Sequence, residues 1–426
     1  MTFSNWIRSA LKLRLATGVV LAILFFARST VRAETLTLPD AIAKALAFAP
    51  SLTMANATSD LSDAQTREMR APMMPSISAA AEYYQAPGYD QVITNRGLSS
   101  GMLKLDYTAF DFGRRMSRLR GARYAAEAAR LGIVAARAQI VFDVKIAYFD
   151  LLRSKRAVIE TQANVDRLSR YVGTIDRLQR SGRAIQNDTL KVRTTLDTAQ
   201  LALSDARNEQ LHGAMVLGSM FGDFEIADYD LAGLAEIPAM PAGDLRATPA
   251  MLAAEREIAA AKMQVDAARA ERYPTVQLAL TAGALGVDPE STLEHHYGAS
   301  YDGAVSMPIF QGGLISSHID QAKAKQLQAE AQARSTEYLL MRRVNEARLR
   351  YQKARDALEI LQRAQPDADD AFALTWTRFL GGGTATLLEV LDAYEQAENL
   401  RISRIQQDFA AREAATEGAM LYGAAQ

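Results

Sequence analysis

The side chains with the clearest potential for chemistry are two carboxylates, Glu389 and Asp392, in an apolar helical stretch. Side chains three residues apart share one face of a helix, so these two form a single acidic spot. The spot follows directly on the glycine run 381–383, and it could attract cations. Paired carboxylates are also common on exposed helices, so an ordinary solvated face remains the alternative.

No other group of residues has the composition of a catalytic or metal site. Cysteine is absent, and of the four histidines His212 and His318 lie in helical stretches, while His295 and His296 lie in a loop. The pair lacks an Asp or Cys at ligand spacing, so a surface loop fits it better than a metal site. The glycine run 381–383 lacks the lysine and the preceding strand of a phosphate loop. We therefore expect no enzyme, and no catalytic, cofactor-binding or metal-binding residues.

The first 33 residues have the features of a secretory signal peptide. Three basic residues precede an apolar run over 15–27, and residues 31–33 offer small side chains for cleavage before Glu34. A retained membrane anchor is the alternative, but the apolar run is shorter than the ~20 residues that span a bilayer as a helix. We expect residues 1–33 to be removed on export.

Composition limits the partners and the mode of membrane attachment. The chain has 48 basic and 49 acidic residues and a net charge of −1, which gives no electrostatic case for a nucleic-acid partner. Without cysteine it can form no disulfide and carry no lipid on a thiol. After the leader no window of 18 consecutive apolar residues occurs, so any insertion into a membrane is expected to use β-structure.

The chain repeats itself in tandem with a register of about 200 residues. Pro75 recurs as Pro274, and the turn glycine Gly182 recurs as Gly383. The element Phe-Asp-Phe-Gly at 110–113 likewise recurs as Phe-Gln-Gly-Gly at 310–313. So long a period indicates two copies of one large unit rather than a solenoid. We place the first unit at 34–235 and the second at 236–426.

Each unit contains a long helical hairpin, predicted over about 113–221 and about 313–421. Residues 114–179 are rich in helix formers and carry a heptad seam formed by Leu151, Val158, Thr161, Val165, Leu168, Val172 and Ile175. The apolar pattern resumes after 181–183, which favours an antiparallel coiled coil over an ordinary helical bundle. Pro366 should either bend the second hairpin locally or split its first helix at Ala364.

Ahead of each hairpin lie two segments with a period of two. They cover about 75–86 and 100–110 in the first unit, and about 275–286 and 297–308 in the second. Alternation over some ten residues with flanking tyrosines is typical of a tilted transmembrane strand, although a half-buried soluble sheet is the alternative. Four strands cannot close a barrel in lipid, so the chain would need partners: a dimer gives eight strands and a trimer twelve.

These features together resemble the TolC-type outer-membrane factors. The resemblance covers the mature chain in order and rests on Leu-Thr-Leu-Pro-Asp-Ala-Ile-Ala-Lys-Ala-Leu at 36–46, Phe-Asp-Phe-Gly-Arg-Arg at 110–115, Ala-Tyr-Phe-Asp-Leu-Leu at 147–152, Phe-Gln-Gly-Gly at 310–313 and Leu-Glu-Val-Leu-Asp-Ala at 388–393. It implies a mixed α and β membrane protein that forms a homotrimer. Twelve strands would build one outer-membrane β-barrel, and the hairpins a periplasmic α-helical tunnel.

The resemblance also implies a function and partners. The chain would be the outer-membrane channel of a tripartite efflux or type I secretion system in a Gram-negative envelope. Its partners would be outer-membrane lipid, a periplasmic adaptor protein and an inner-membrane pump or ABC exporter. No cofactor is expected. The competing hypothesis is a periplasmic coiled-coil adaptor or scaffold that never enters a membrane.

Finally, the resemblance assigns roles to the two hairpin tips. The adaptor-facing tips would be Ser181, Gly182 and Arg183 in the first hairpin, and Gly382, Gly383 and Thr384 in the second. The periplasmic gate would use Asn187, Asp188, Glu389 and Asp392. Where the family carries a basic tether between two threonines this chain has Ala385, so Arg183 or Arg378 is expected to supply the tether instead.

Overall fold

The computed structural model of the chain describes residues 35–85, 88, 97–223, 229–287, 297–382 and 384–423. The predicted signal peptide, Gly383 and the pair His295 and His296 lie outside the described residues. Seven α-helices and four strands occur in the described ranges, and they follow the chain in the order α1, α2, β1, β2, α3, α4, α5, β3, β4, α6, α7.

The four strands form one antiparallel sheet. Their bounds are β1 at Ser76–Gln85, β2 at Gly97–Phe110, β3 at Thr275–Val287 and β4 at Tyr297–Ser306. The strand order is β1-β2-β3-β4, so β2 of the first unit pairs with β3 of the second. The strand pairs of the two units thus form one sheet, in which β1 and β4 are the edge strands.

Two helical hairpins extend from the sheet. The first consists of α3 (Arg114–Arg180) and α4 (Gln186–Ser219), and the second of α6 (Leu314–Leu380) and α7 (Leu387–Leu421). The first helix of each has 67 residues, which makes it about 100 Å long. Pro366 lies inside α6, and the helix continues through it, so the expected break at Ala364 is wrong.

Apolar seams hold each hairpin together, as the heptad pattern requires. Val165 and Leu168 of α3 are buried against Ala199 and Leu203 of α4. Nearer the tip, Ile175 is fully buried beside Val192.

Three helices outside the hairpins brace the long helices. They are α1 (Leu38–Phe48), α2 (Pro50–Arg70) and α5 (Pro249–Ala270), and they were not predicted from the sequence. The side chain of Thr248 caps α5 by accepting a hydrogen bond from the Met251 N–H, and Pro249 follows at the first helical position. Helix α5 packs against both α3 and α6, so it joins the two units.

The largest core cluster lies around the middle of α3. Tyr148 is fully buried there, and its hydroxyl lies 2.9 Å from the Leu36 carbonyl oxygen and 3.0 Å from that of Ala232. Leu36 also forms a parallel bridge with Leu231. A single tyrosine thereby holds the segments at Leu36 and Ala232 against α3.

Candidate functional site

The tip of the first hairpin is a tight reversal built on Gly182. Its φ of 72° lies in the left-handed region, which a glycine adopts without strain. The Arg183 N–H donates to the Leu178 carbonyl at 2.8 Å, and the Gly182 N–H donates to that of Gln179 at 3.0 Å. This pair of bonds is a Schellman motif, which satisfies the last carbonyls of α3. Gly382 has a φ of 113° at the corresponding place in the second tip.

Two of the four predicted gate residues cap the helices that leave the tips. The Glu389 carboxylate accepts a hydrogen bond from the Thr386 N–H at 2.9 Å, and the Thr386 hydroxyl accepts one from the Glu389 N–H at 3.3 Å. This capping box satisfies two N–H groups at the start of α7. Asp188 similarly accepts from the Ile185 N–H at 3.3 Å at the start of α4. Both carboxylates are therefore bound to their own helix ends.

The other two predicted gate residues share a groove. Asn187 on α4 and Asp392 on α7 both line a cleft of about 880 Å³, which is also lined by Asn164 and Leu168 of α3. Both side chains are exposed. The structure thus brings Asn187 and Asp392 together across the two hairpins, whereas neither Asp188 nor Glu389 lines this cleft.

One of the two arginines considered as tethers contacts the opposite tip. The guanidinium of Arg183 donates a hydrogen bond of 2.6 Å to the carbonyl oxygen of Leu380, the last residue of α6. Arg378 is exposed on α6. The contact joins the two tips of one chain directly.

A partly buried ionic network borders the groove through Glu398, and it was not predicted. Arg167 of α3 pairs with Glu160 at 2.7 Å and with Glu398 of α7 at 2.8 Å. Glu398 is also paired with Arg401, which in turn contacts Asp369 of α6. Burial raises the pKa of Glu398, while Arg167 and Arg401 act in the opposite direction. The network connects the first hairpin to both helices of the second.

An aromatic cluster reinforces the same junction. Tyr171 of α3 contacts Trp376 and Phe372 of α6 with ring centroids 4.7 and 5.6 Å apart. Tyr394 of α7 meets both Tyr171 and Phe372 edge to face, and burial raises its pKa to about 12.

The sequence carried a signal for one member of the ionic network, Glu398. Glu398 directly follows the buried stripe of Val390, Tyr394 and Ala397, where a carboxylate requires a partner.

The sheet at the opposite end of the molecule has two chemically different faces. Strand register and alternation place one set of apolar and aromatic residues on a single face: Ile77, Tyr83, Leu103, Leu105, Leu278, Leu280, Tyr301 and Val305. The other face carries Ser76, Ser78, Glu82, Lys104, Asp106, Thr108, Gln277, Thr281, Ser300 and Asp302. Lys104 and Asp106 form an ion pair of 3.0 Å on that polar face.

Within the described ranges no cluster of three or more histidine, cysteine or acidic side chains has the geometry to hold a metal ion. Among the helices that the structure describes, none is both long enough and apolar enough to cross a membrane.

Comparison with known families gives one match that covers most of the chain. The sequence profile described as outer membrane efflux protein matches residues 41–222 and 245–417. Among individual proteins, the chain is 23% identical over 370 residues to the outer membrane protein TolC of Escherichia coli, a match that covers 81% of this chain and 73% of that protein.

A second relative matches over a shorter stretch. The probable efflux pump outer membrane protein SepC of Pseudomonas putida is 31% identical over 192 residues. That match spans 42% of this chain and only 39% of the relative's length.

Solved structures share the fold. A membrane protein from Pseudomonas aeruginosa superposes with a TM-score of 0.82 at 21% identity, and the match covers 91% of this chain and 93% of that one. The outer membrane protein VceC of Vibrio cholerae superposes with a TM-score of 0.80 at 20% identity, with coverage of 91% and 96%. At these identities the likeness concerns the fold alone.

Proposed function

Because the chain belongs to the outer membrane efflux protein family, and is therefore an outer-membrane protein whose relatives are channels rather than enzymes, we propose a specific role for it. Three copies form a gated tunnel that conducts solutes passively across the periplasm and the outer membrane. The tunnel is the outer component of a tripartite efflux or type I secretion system. A periplasmic adaptor or scaffold, the competing hypothesis, does not fit membership in this family.

The observation that carries the proposal is the two-faced, open-edged sheet. Its apolar face suits contact with lipid and its polar face suits a water-filled lumen. Among the strands that the structure describes, the outer edges of β1 and β4 have no partner strand. In lipid such edges must be paired, so β4 of one copy would join β1 of the next. Three copies would then give a closed barrel of twelve strands.

The helical part offers an apolar surface for neighbouring copies. Helix α6 exposes Leu327, Tyr338, Leu349 and Ile360, which recur every 11 residues. A spacing of 11 residues keeps side chains on a nearly straight line along a helix. We assign this apolar line on α6 to the contact between one copy and the next.

The gate lies where the return helices leave the tips. Threefold symmetry would turn Asn187 and Asp392, which share one groove, into rings around the axis. The carboxylate ring of Asp392 would favour cations in a narrow passage. Asp188 and Glu389 belong to the same level but support it by capping α4 and α7. Arg183 holds the tips together through Leu380.

The tips themselves are the proposed docking points for the adaptor. Ser181, Gly182 and Arg183 are exposed in the first tip, and Gly382 and Thr384 in the second; Gly383 completes that set outside the described residues. An adaptor bound there would connect the tunnel to an inner-membrane pump or ABC exporter.

The test is to follow the full-length protein through export and assembly. The proposal expects it in the outer-membrane fraction as a trimer that migrates faster in gels before boiling than after. Purified trimer should form ion-conducting channels in planar bilayers. A monomer in the soluble periplasmic fraction would overturn the proposal and restore the adaptor hypothesis.

A further inference from the structure

The tandem repeat places a lysine in the first unit where the second has the gate carboxylate. The register that relates Asp188 to Glu389, and Leu190 to Leu391, also relates Lys191 to Asp392. Each is the sixth residue of its return helix, Lys191 in α4 and Asp392 in α7. The two opposite charges therefore lie at the same distance from the tips.

Both charges face the same space. Lys191 and Asp392 line the groove of about 880 Å³ that also contains Asn187. Both side chains are exposed. One turn further along α4, the groove is lined by the hydroxyl residues Thr194 and Thr195, which carry no charge.

The groove is lined by three acidic residues and one basic residue. Of its acidic lining residues, Glu398 is buried and paired with two arginines, Arg167 and Arg401. Asp392 and Glu395 are exposed. Lys191 is the one cationic residue of the lining, and no carboxylate of the described residues lies within ion-pair distance of it. One ammonium thus offsets one of two exposed carboxylates.

We propose that Lys191 sets the charge selectivity of the channel at its narrow end. In a trimer, three ammonium groups would alternate with the three carboxylates of Asp392 at one level. A pure carboxylate ring repels anions, whereas a ring of mixed sign admits solutes that carry a carboxylate or phosphate group. The class of solute that this residue admits is therefore anionic or zwitterionic. The inference rests on the proposed channel function.

The experiment measures reversal potentials of the trimer in planar bilayers under a KCl gradient. Without Lys191 the exposed carboxylates Asp392 and Glu395 have no opposing charge in the groove lining. Lys191→Gln should therefore raise the ratio of potassium to chloride permeability by roughly threefold, and Lys191→Glu by more. Lys191→Glu should also strengthen block by trivalent cations by roughly tenfold. Asp392→Asn should shift the permeability ratio in the opposite direction.

Arg193→Gln is the matched control. It removes the same charge from the same helix, two residues away, where Arg193 pairs with Asp176 of α3 and does not line the groove. If Lys191→Gln and Lys191→Glu change the permeability ratio no more than this control does, the inference is wrong while the channel function stands. If the wild-type trimer conducts no ions at all, the channel function fails and the inference fails with it.

Discussion

Arg183 at the tip of the first hairpin donates a hydrogen bond of 2.6 Å to the backbone carbonyl of Leu380 at the tip of the second. That carbonyl belongs to the last turn of α6, where helical carbonyls have no partner within the helix. A cation also interacts favourably with the negative end of a helix dipole. One side chain thus stabilises the approach of two tips that are separated by almost half of the chain.

Removing this contact should favour the open tunnel. A hydrogen bond from a charged donor at an exposed site contributes about 1 kcal/mol, so Arg183→Ala should shift the balance of open and closed tips by roughly fivefold in each copy. We expect a higher open probability in single-channel recordings of the variant. Arg180→Ala is the control, because the Arg180 side chain donates a hydrogen bond to the Asp176 carbonyl oxygen of its own helix. Equal recordings for the two variants would exclude Arg183 as a tether.

Glu389 and Asp392 should have different roles: Glu389 stabilises the start of α7, and Asp392 supplies charge to the groove. Glu389→Ala removes half of a capping box, so it should lower the stability of the helix end by about 1 kcal/mol. Asp392 is exposed in the groove, and Asp392→Ala should leave the thermal midpoint unchanged while it weakens block by multivalent cations. Changing both together should raise conductance as well. Unchanged conductance and block in the double variant would refute the gate assignment.

The two faces of the sheet predict opposite tolerance for charge at neighbouring residues. Leu280 lies on the apolar face and Thr281 on the polar face of β3. A lysine facing the middle of a bilayer costs about 2–4 kcal/mol, whereas one that faces a water-filled lumen costs little. Leu280→Lys should therefore reduce the amount of trimer in the outer membrane, and Thr281→Lys should not. Equal loss in both variants would argue against the assignment of faces.

The sequence was sufficient to predict features that repeat along a helix or a strand. The heptad seam through Val165, Leu168 and Ile175 indicated the long helix, and the structure buries all three. Alternation in β3 indicated which of its side chains share a face. Helix α2 was missed because it has a polar composition with no strong apolar stripe, and it depends on packing against α3.

Contacts between residues far apart in the sequence could not be predicted, for a physical reason. The acceptor for Arg183 is the Leu380 backbone carbonyl, which every residue carries and no sequence pattern marks. Arg167 and Glu398 lie in different hairpins, and each has several opposite charges nearer in sequence. Only the packing of α3 against α7 selects this pair. The gate role came from a family resemblance, and the sequence alone did not show that Asn187 and Asp392 share a groove.

A last prediction concerns Glu413 of α7, a carboxyl group whose Oε1 atom is buried without a hydrogen-bond partner among the described residues. Burial raises the pKa of this group above its ordinary value of 4.5, and the nearby Asp150 adds to the rise, while Arg153 and Arg350 oppose it. A raised pKa in the folded state means that the folded protein binds the proton more tightly than the unfolded chain does. Stability from this group is therefore complete below about pH 4.5 and is lost as the pH rises through the folded pKa.

Glu413→Gln should remove that loss, because the amide stays neutral at every pH. We expect the variant to melt a few degrees above the wild type at pH 8 and at nearly the same temperature at pH 4, since a buried neutral group avoids the cost of a buried charge. Thermal unfolding of the detergent-solubilised trimer, followed by circular dichroism across this pH range, measures the difference. Glu359→Gln is the control, because it makes the same substitution at an exposed position of α6. A midpoint difference for Glu413→Gln that is independent of pH would mean that ionisation of Glu413 does not destabilise the fold.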